Sequence, residues 1–195
     1  MILERIDTAI AGCYELRPRV AADARGSFVK TFHRDTFAGL GLAVDWAEQF
    51  YSLSRKNVLR GLHFQTPPHA HAKLVYCPAG EVLDAAVDLR VGSPSHGRHV
   101  TLRLSGDAGN MLYLPTGLAH GFLTLSDEAL MVYNVTSVYA PAHDTGIRWD
   151  SAGIDWPLAN LAGGGAPLLS PRDAGFAAMA DFASPFVFDA EHPAA

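Results

Sequence analysis

The chain is short of cysteine, of charge and of long apolar runs, and each shortage closes off a class of protein. It has two cysteines in 195 residues, Cys13 and Cys77. They form neither a ligand pair by spacing nor a disulfide framework, so reduced thiols in a cytoplasmic protein are the plain expectation. Charged residues make up 18%, with 15 Lys and Arg against 20 Asp and Glu, a formal net charge of −5. Such a balance offers no broad basic surface, so neither a nucleic-acid nor an anionic-membrane partner is expected. An anionic ligand must be met by local arginines, and Arg25, Arg60 and Arg172 are the candidates. No apolar run approaches the ~20 residues that span a bilayer. Ile10-Ala-Gly-Cys13 has the look of a lipoprotein cleavage box, but Glu4, Arg5 and Asp7 stand where a signal's apolar segment belongs. A signal peptide is therefore not expected. No internal repeat occurs at solenoid periods.

What the chain does have is core material, with 49% hydrophobic residues. One domain over residues 1–195 is the expectation. Asp23-Ala-Arg25-Gly26 signals a turn, and Arg34–Leu40 reads as a short helix. From Val44 to Tyr139 short apolar or alternating runs recur: Lys73–Cys77, Glu81–Leu89, Val100–Leu104, Met111–Leu114, Phe122–Leu125 and Leu130–Tyr139. Regular short strands of this kind argue for an all-β sandwich or barrel rather than βαβ units. The last part, residues 157–195, reads as a loop with a flexible glycine run, Gly163–Gly165, and a terminal helix over Ala174–Ala183.

Gly109-Asn-Met-Leu-Tyr-Leu-Pro115-Thr-Gly117-Leu-Ala-His120 matches the second half-motif of the cupins, which implies a double-stranded β-helix, or jelly roll, with short peripheral helices. Side chains two apart in a strand share a face. His63 therefore goes with Gln65, Lys73 with Val75 and Cys77, Asp84 with Ala86 and Asp88, and Tyr133 with Met131, Val135 and Tyr139. Arg60 has the opposite parity to His63 and reaches the same ligand only from a strand entrance or a bulge. An imidazole, an ammonium and a phenol on neighbouring strands are the groups needed to remove a proton beside a ketone, hold the enolate and return a proton. Each has an ordinary alternative: a hydrogen-bonded core histidine, a lysine snorkelling to the surface, a packing tyrosine.

Arg60-Gly-Leu-His63-Phe-Gln65, Lys73, Ala119-His120-Gly-Phe122, Tyr133 and Leu169-Ser-Pro-Arg172-Asp173 occur in this order. The set resembles the dTDP-4-dehydrorhamnose 3,5-epimerases, RmlC-like cupins. The resemblance implies metal-free, cofactor-free inversion at C3, C5 or both of a nucleotide-diphospho-4-keto-6-deoxyhexose. It makes His63 the general base with Asp173 orienting its ring, Tyr133 the acid, and Lys73 the group that stabilises the enolate oxygen. Asp84 is a candidate counter-charge to Lys73, and Gln65 a supporting residue. By the same resemblance Arg25, Arg60 and His120 hold phosphate, with Arg25 supplied by the second subunit of a homodimer through exchanged N-terminal strands within about residues 1–45. Arg172 lies on the nucleotide side, Tyr139 stacks on the base, and Asp144 stands where the family has a glutamate.

Three positions depart from the family. In Gly26-Ser-Phe28-Val-Lys30 a lysine replaces a glutamate, and the family's Gln-x-Asn becomes Glu48-Gln49-Phe50 before Ser52-Leu-Ser54. Phe28, Lys30, Glu48 and Phe50 all fall in the nucleotide and sugar contacts. The base identity therefore stays open, since a lysine offers only donors where a carboxylate offers only acceptors. Two other classes compete. A metal-dependent cupin would start from His69-Ala-His71, but Val75 and Tyr76 occupy the spacing of its carboxylate ligand. A non-catalytic sugar-binding cupin would use the same pocket without proton transfer.

Overall fold

Among the described residues, thirteen strands and two short α-helices order the chain: β1 Leu3–Asp7, β2 Tyr14–Pro18, β3 Val20–Asp23, β4 Gly26–Val29, α1 Arg34–Gly39, β5 Glu48–Arg55, β6 Leu59–Gln65, β7 Lys73–Ala79, β8 Glu81–Asp88, β9 His99–Ser105, β10 Met111–Leu114, β11 Leu118–Thr124, β12 Glu128–Val135, β13 Asp144–Gly146 and α2 Pro171–Ala174. The computed structural model describes residues 2–160 and 165–194. Of the glycine run expected to form a loop, Gly163 and Gly164 lie outside the described residues.

Eleven of these strands build two antiparallel sheets, while β3 and β4 pair only with each other. One has six strands in the order β1-β2-β10-β7-β12-β5, the other five in the order β13-β6-β11-β8-β9. Their inner faces supply one core: Val75, Cys77, Leu112, Leu114, Met131 and Tyr133 from the first sheet meet Val82, Ala86, Leu104, Leu118 and Phe122 from the second. This is the jelly roll the half-motif implied.

Both outer faces are also covered, which explains why β10 and β11 are buried at every position. Phe37 of α1 and Leu42 pack with Leu16, Leu74, Met111 and Tyr113 outside the six-stranded sheet. Trp156, Phe186 and their neighbours pack with Ala85, Val87, Ala119 and Leu123 outside the other. Each large side chain buried in this way contributes ~1.5–3 kcal/mol.

Two expectations need correction. The alanine-rich segment is not a helix over Ala174–Ala183. Ser170 caps α2 by accepting from the Asp173 N–H, Pro171 starts it, and Gly175 ends it after one turn. Phe176 then packs edge-on to His63, while Met179 and Phe182 join the outer core; three side chains with separate destinations do not lie on one helical face. The last long strand stops at Val135 rather than Tyr139. There Thr136 turns away, its N–H donating to Ala72 O and its hydroxyl accepting from the Ala72 N–H.

Candidate active site

A cavity of about 390 Å³ opens between the sheets. From the five-stranded sheet it takes Arg60, His63 and Gln65 of β6, His120 and Phe122 of β11, and Asp144 of β13. From the six-stranded sheet it takes Glu48, Phe50 and Ser52 of β5, Lys73 of β7, and Tyr133 and Val135 of β12. Arg172 and Tyr139 stand at the rim, and Phe64, His71 and Ser137 also line the cavity.

The parity conflict of Arg60 is resolved by a bulge. On β11, His120 pairs with His63 but Phe122 pairs with Arg60, a shift of register. Gly61 sits in that shift at φ +136°, and a Cβ there would lie 2.6 Å from Gly121 Cα. Only glycine fits. The distortion also frees the Gly61 N–H, which donates to Asp173 Oδ2 at 3.0 Å.

Asp173 thus arrives from α2 and meets two groups of β6. Its Oδ1 lies 2.9 Å from His63 Nε2, which leaves Nδ1 as the ring nitrogen for substrate. Burial pushes the Asp173 carboxyl up, but hydrogen bonds from His63 and Gly61 outweigh it and hold it below the usual carboxylate range. The aspartate stays ionised and orients the ring.

Across the cavity, Tyr133 is buried, and burial raises its phenol above the ordinary tyrosine value. It therefore keeps its proton at neutral pH. Its hydroxyl lies 3.3 Å from Ser52 Oγ and its ring stacks on Phe50 at 4.7 Å and 14°. Lys73 is 9% exposed, and its ammonium donates to His63 O at 3.1 Å. Burial lowers its pKa to about 8, against the opposing pull of Asp144 and Asp84. Asp84, the candidate counter-charge, acts on Lys73 through its charge without touching it. Both carboxyl oxygens of Asp84 instead lie at 3.0 and 2.9 Å from His120 Nε2, because the two residues sit two registers apart on adjacent paired strands, β8 and β11. Nδ1 is the only ring nitrogen of His120 not engaged in this contact.

The rim is braced by hydrogen bonds. Ser54 Oγ accepts from Arg60 Nε at 2.8 Å. Arg172 and Asp144 pair at 2.7 Å. Glu48 Oε2 accepts from the Tyr139 N–H at 2.7 Å, so one of the three residues that depart from the family pattern holds the loop of Tyr139. Gln65 holds the same loop, accepting from the Ala140 N–H at 2.6 Å and donating to Val138 O at 3.2 Å.

Arg25, Phe28 and Lys30 do not reach this cavity in their own chain. They lie on the β3–β4 hairpin, which pairs only with itself, and the Arg25 side chain is 90% exposed against Asp23. The His69-Ala-His71 pair is not gathered with a third ligand. Among the described residues no three His, Cys, Asp or Glu side chains form a metal-sized group, and His69 packs instead on the His143 ring at 4.7 Å. Ser52 and Ser54 were missed as site residues, although the alternation of β5 places them on the face of Glu48 and Phe50. Phe176 gave no local signal, because its contact with His63 spans more than a hundred residues.

A jelly roll with a ligand cavity between its sheets, a carboxylate-held imidazole on one and a protonated phenol on the other, is a cupin-type isomerase. Residues 7–181 match the sequence model described as dTDP-4-dehydrorhamnose 3,5-epimerase. The chain is 43% identical over 172 residues to the dTDP-4-dehydrorhamnose 3,5-epimerase of Salmonella typhimurium, covering 87% of this chain and 91% of that one. It is 41% identical over 167 residues to a dTDP-4-dehydrorhamnose 3-epimerase of Streptomyces niveus, covering 84% and 78%. Among solved structures, the dTDP-6-deoxy-D-glucose-3,5-epimerase of Legionella pneumophila, in complex with dTDP-4-keto-L-rhamnose, superposes with a TM-score of 0.89 at 34% identity, covering 96% of this chain and 100% of that one. The chain belongs to the dTDP-4-dehydrorhamnose 3,5-epimerase family.

Proposed function

We propose that the protein inverts C3, C5 or both of a nucleotide-diphospho-4-keto-6-deoxyhexose, the dTDP-4-keto type being the first candidate. The observation that carries this reading is the placement of His63 and Tyr133 on opposite sheets of one cavity. His63 takes the proton from the carbon beside the ketone. The electron pair of that C–H bond moves into a carbon–carbon double bond, and the ketone oxygen becomes an enolate facing the Lys73 ammonium. Tyr133 then gives its proton to the carbon from the other side, the ketone re-forms, and the centre is inverted. Asp173 supports the imidazolium while it exists.

The same reading makes the active form a homodimer, each cavity completed by Arg25, Phe28 and Lys30 from the partner's hairpin. Exposed Tyr51 and Leu53 on the edge strand β5 fit such an association. Cys13 and Cys77 are both buried free thiols, which fits a reducing, cytoplasmic setting.

The test is proton NMR of dTDP- and CDP-linked 4-keto-6-deoxyhexoses in deuterated buffer. Deuterium should enter at C3, C5 or both with wild type. His63→Asn should lose ~10²–10⁴ of the exchange rate while remaining folded. A variant that keeps more than about a tenth of wild-type exchange shows that His63 is not the base.

A further inference from the structure

Among the side chains lining the cavity is His71, a titratable group to which the reaction above gives no part. It lies two residues before Lys73, and residues two apart in extended chain project to the same side. Its proton can be assigned from heavy atoms alone. The Ala140 N–H donates to Gln65 Oε1 at 2.6 Å, which fixes that atom as the oxygen and makes Nε2 the NH₂ group. This NH₂ lies 3.1 Å from His71 Nδ1, besides reaching the carbonyls of His69 at 2.9 Å and Val138 at 3.2 Å. An amide NH₂ only donates, so this contact is a hydrogen bond in the tautomer whose Nδ1 accepts, and a neutral ring of that kind carries its proton on Nε2. Burial, and then the Lys73 charge, push the pKa of the ring down to about 3, so it is neutral around pH 7. No protein acceptor takes up that Nε2–H among the described residues.

We propose that His71 is a specificity-determining substrate contact, a neutral Nε2–H donor locked by Gln65 and aimed at an oxygen of the hexose beside the ketone. The proposal rests on the epimerase reading. A donor that cannot accept and does not charge favours sugars with an acceptor oxygen at that position. It is not a second base, because its lone pair is already committed to Gln65.

Nitrogen-15 NMR of the substrate-free protein at pH 7, with His71→Phe used to assign the signal, should show a neutral ring protonated at Nε2. Gln65→Glu replaces the donor by an acceptor and should transfer the proton to Nδ1. A wild-type ring protonated at Nδ1, or at both nitrogens, overturns the proposal. In turnover, His71→Phe should raise KM about tenfold with kcat nearly unchanged, the loss of one hydrogen bond. His71→Gln, which restores a donor, should stay within about twofold of wild type. An unchanged KM in His71→Phe, or equal losses in the two variants, also overturns it. Wild type that neither exchanges nor inverts the keto-sugar sinks the epimerase reading and the contact together. An active wild type with an indifferent His71→Phe sinks the contact alone.

Discussion

Tyr133 and Lys73 owe their chemistry to burial, and burial makes their behaviour predictable. Tyr133→Phe keeps the ring on Phe50 but removes the proton that the proposed reaction delivers to the second face. Proton abstraction by His63 should continue while inversion falls, so deuterium should enter with retained configuration, read by NMR of the recovered sugar. Equal loss of exchange and inversion would mean that the phenol only binds. Lys73 has its pKa lowered to about 8, so it sheds its proton as pH rises through that value. The enolate then loses its ammonium, and kcat/KM should fall above about pH 8. The raised phenol of Tyr133 stays protonated there and does not account for that limb. Lys73→Arg should move the limb upward, because guanidinium does not deprotonate in this range. That His63, Lys73 and Tyr133 line one cavity was legible in the sequence through strand parity and the resemblance of their motifs to the epimerases. The true partner of Asp84 was not, because parity says which face a side chain takes but not which neighbour on that face it meets.

At the scale of elements, the bulge between β6 and β11 does two jobs. It turns Arg60 into the cavity of His63 and presents the Gly61 N–H to Asp173. Gly61→Ala should therefore damage both fold and site. Its φ of +136° and the 2.6 Å approach to Gly121 Cα leave a methyl no room. Strain of this kind costs ~1–3 kcal/mol, a Tm drop of several degrees for a domain of this size. Turnover measured well below Tm should fall as well, because the carboxylate loses one of its anchors. A Gly61→Ala protein with unchanged melting curve and rate would show that the bulge is incidental. The strands themselves were readable from alternation and turn residues. The end of β12 and the break-up of the terminal helix were not, since Thr136–Ala72 and Phe176–His63 are long-range contacts that override local propensity.

For the whole molecule, the separation of Arg25 from the cavity in its own chain makes a sharp test of association. If the hairpin of one subunit completes the cavity of the other, Arg25→Ala and His63→Ala homodimers should each be poorly active. Mixed and allowed to exchange subunits, they should regain turnover, because one cavity of each heterodimer then has both an intact His63 and a partner's Arg25. Light scattering should report a dimer throughout. No recovery on mixing, with exchange verified by labelled subunits, would place Arg25 outside the partner's site. The jelly roll was visible in the sequence through the Gly109–His120 half-motif, but the separateness of β3 and β4 followed only from the resemblance, because a hairpin's own turn chemistry is the same whether it docks or projects.

Strand β5 carries the cavity's Glu48, Phe50, Ser52 and Ser54 on one side and Gln49, Tyr51 and Leu53 on the other. Its eight partners along β12, from Glu48↔Val135 to Arg55↔Glu128, run without a shift. The segment is therefore tolerant of substitution and intolerant of a change in length. Insertion or deletion of a single residue would exchange the two sides, sending the brace of Arg60 and the neighbour of Tyr133 outward and bringing Tyr51 and Leu53 in. A change of ligand preference on this strand is therefore open to replacement of Glu48, Phe50 or Ser52 and closed to insertion or deletion beside them.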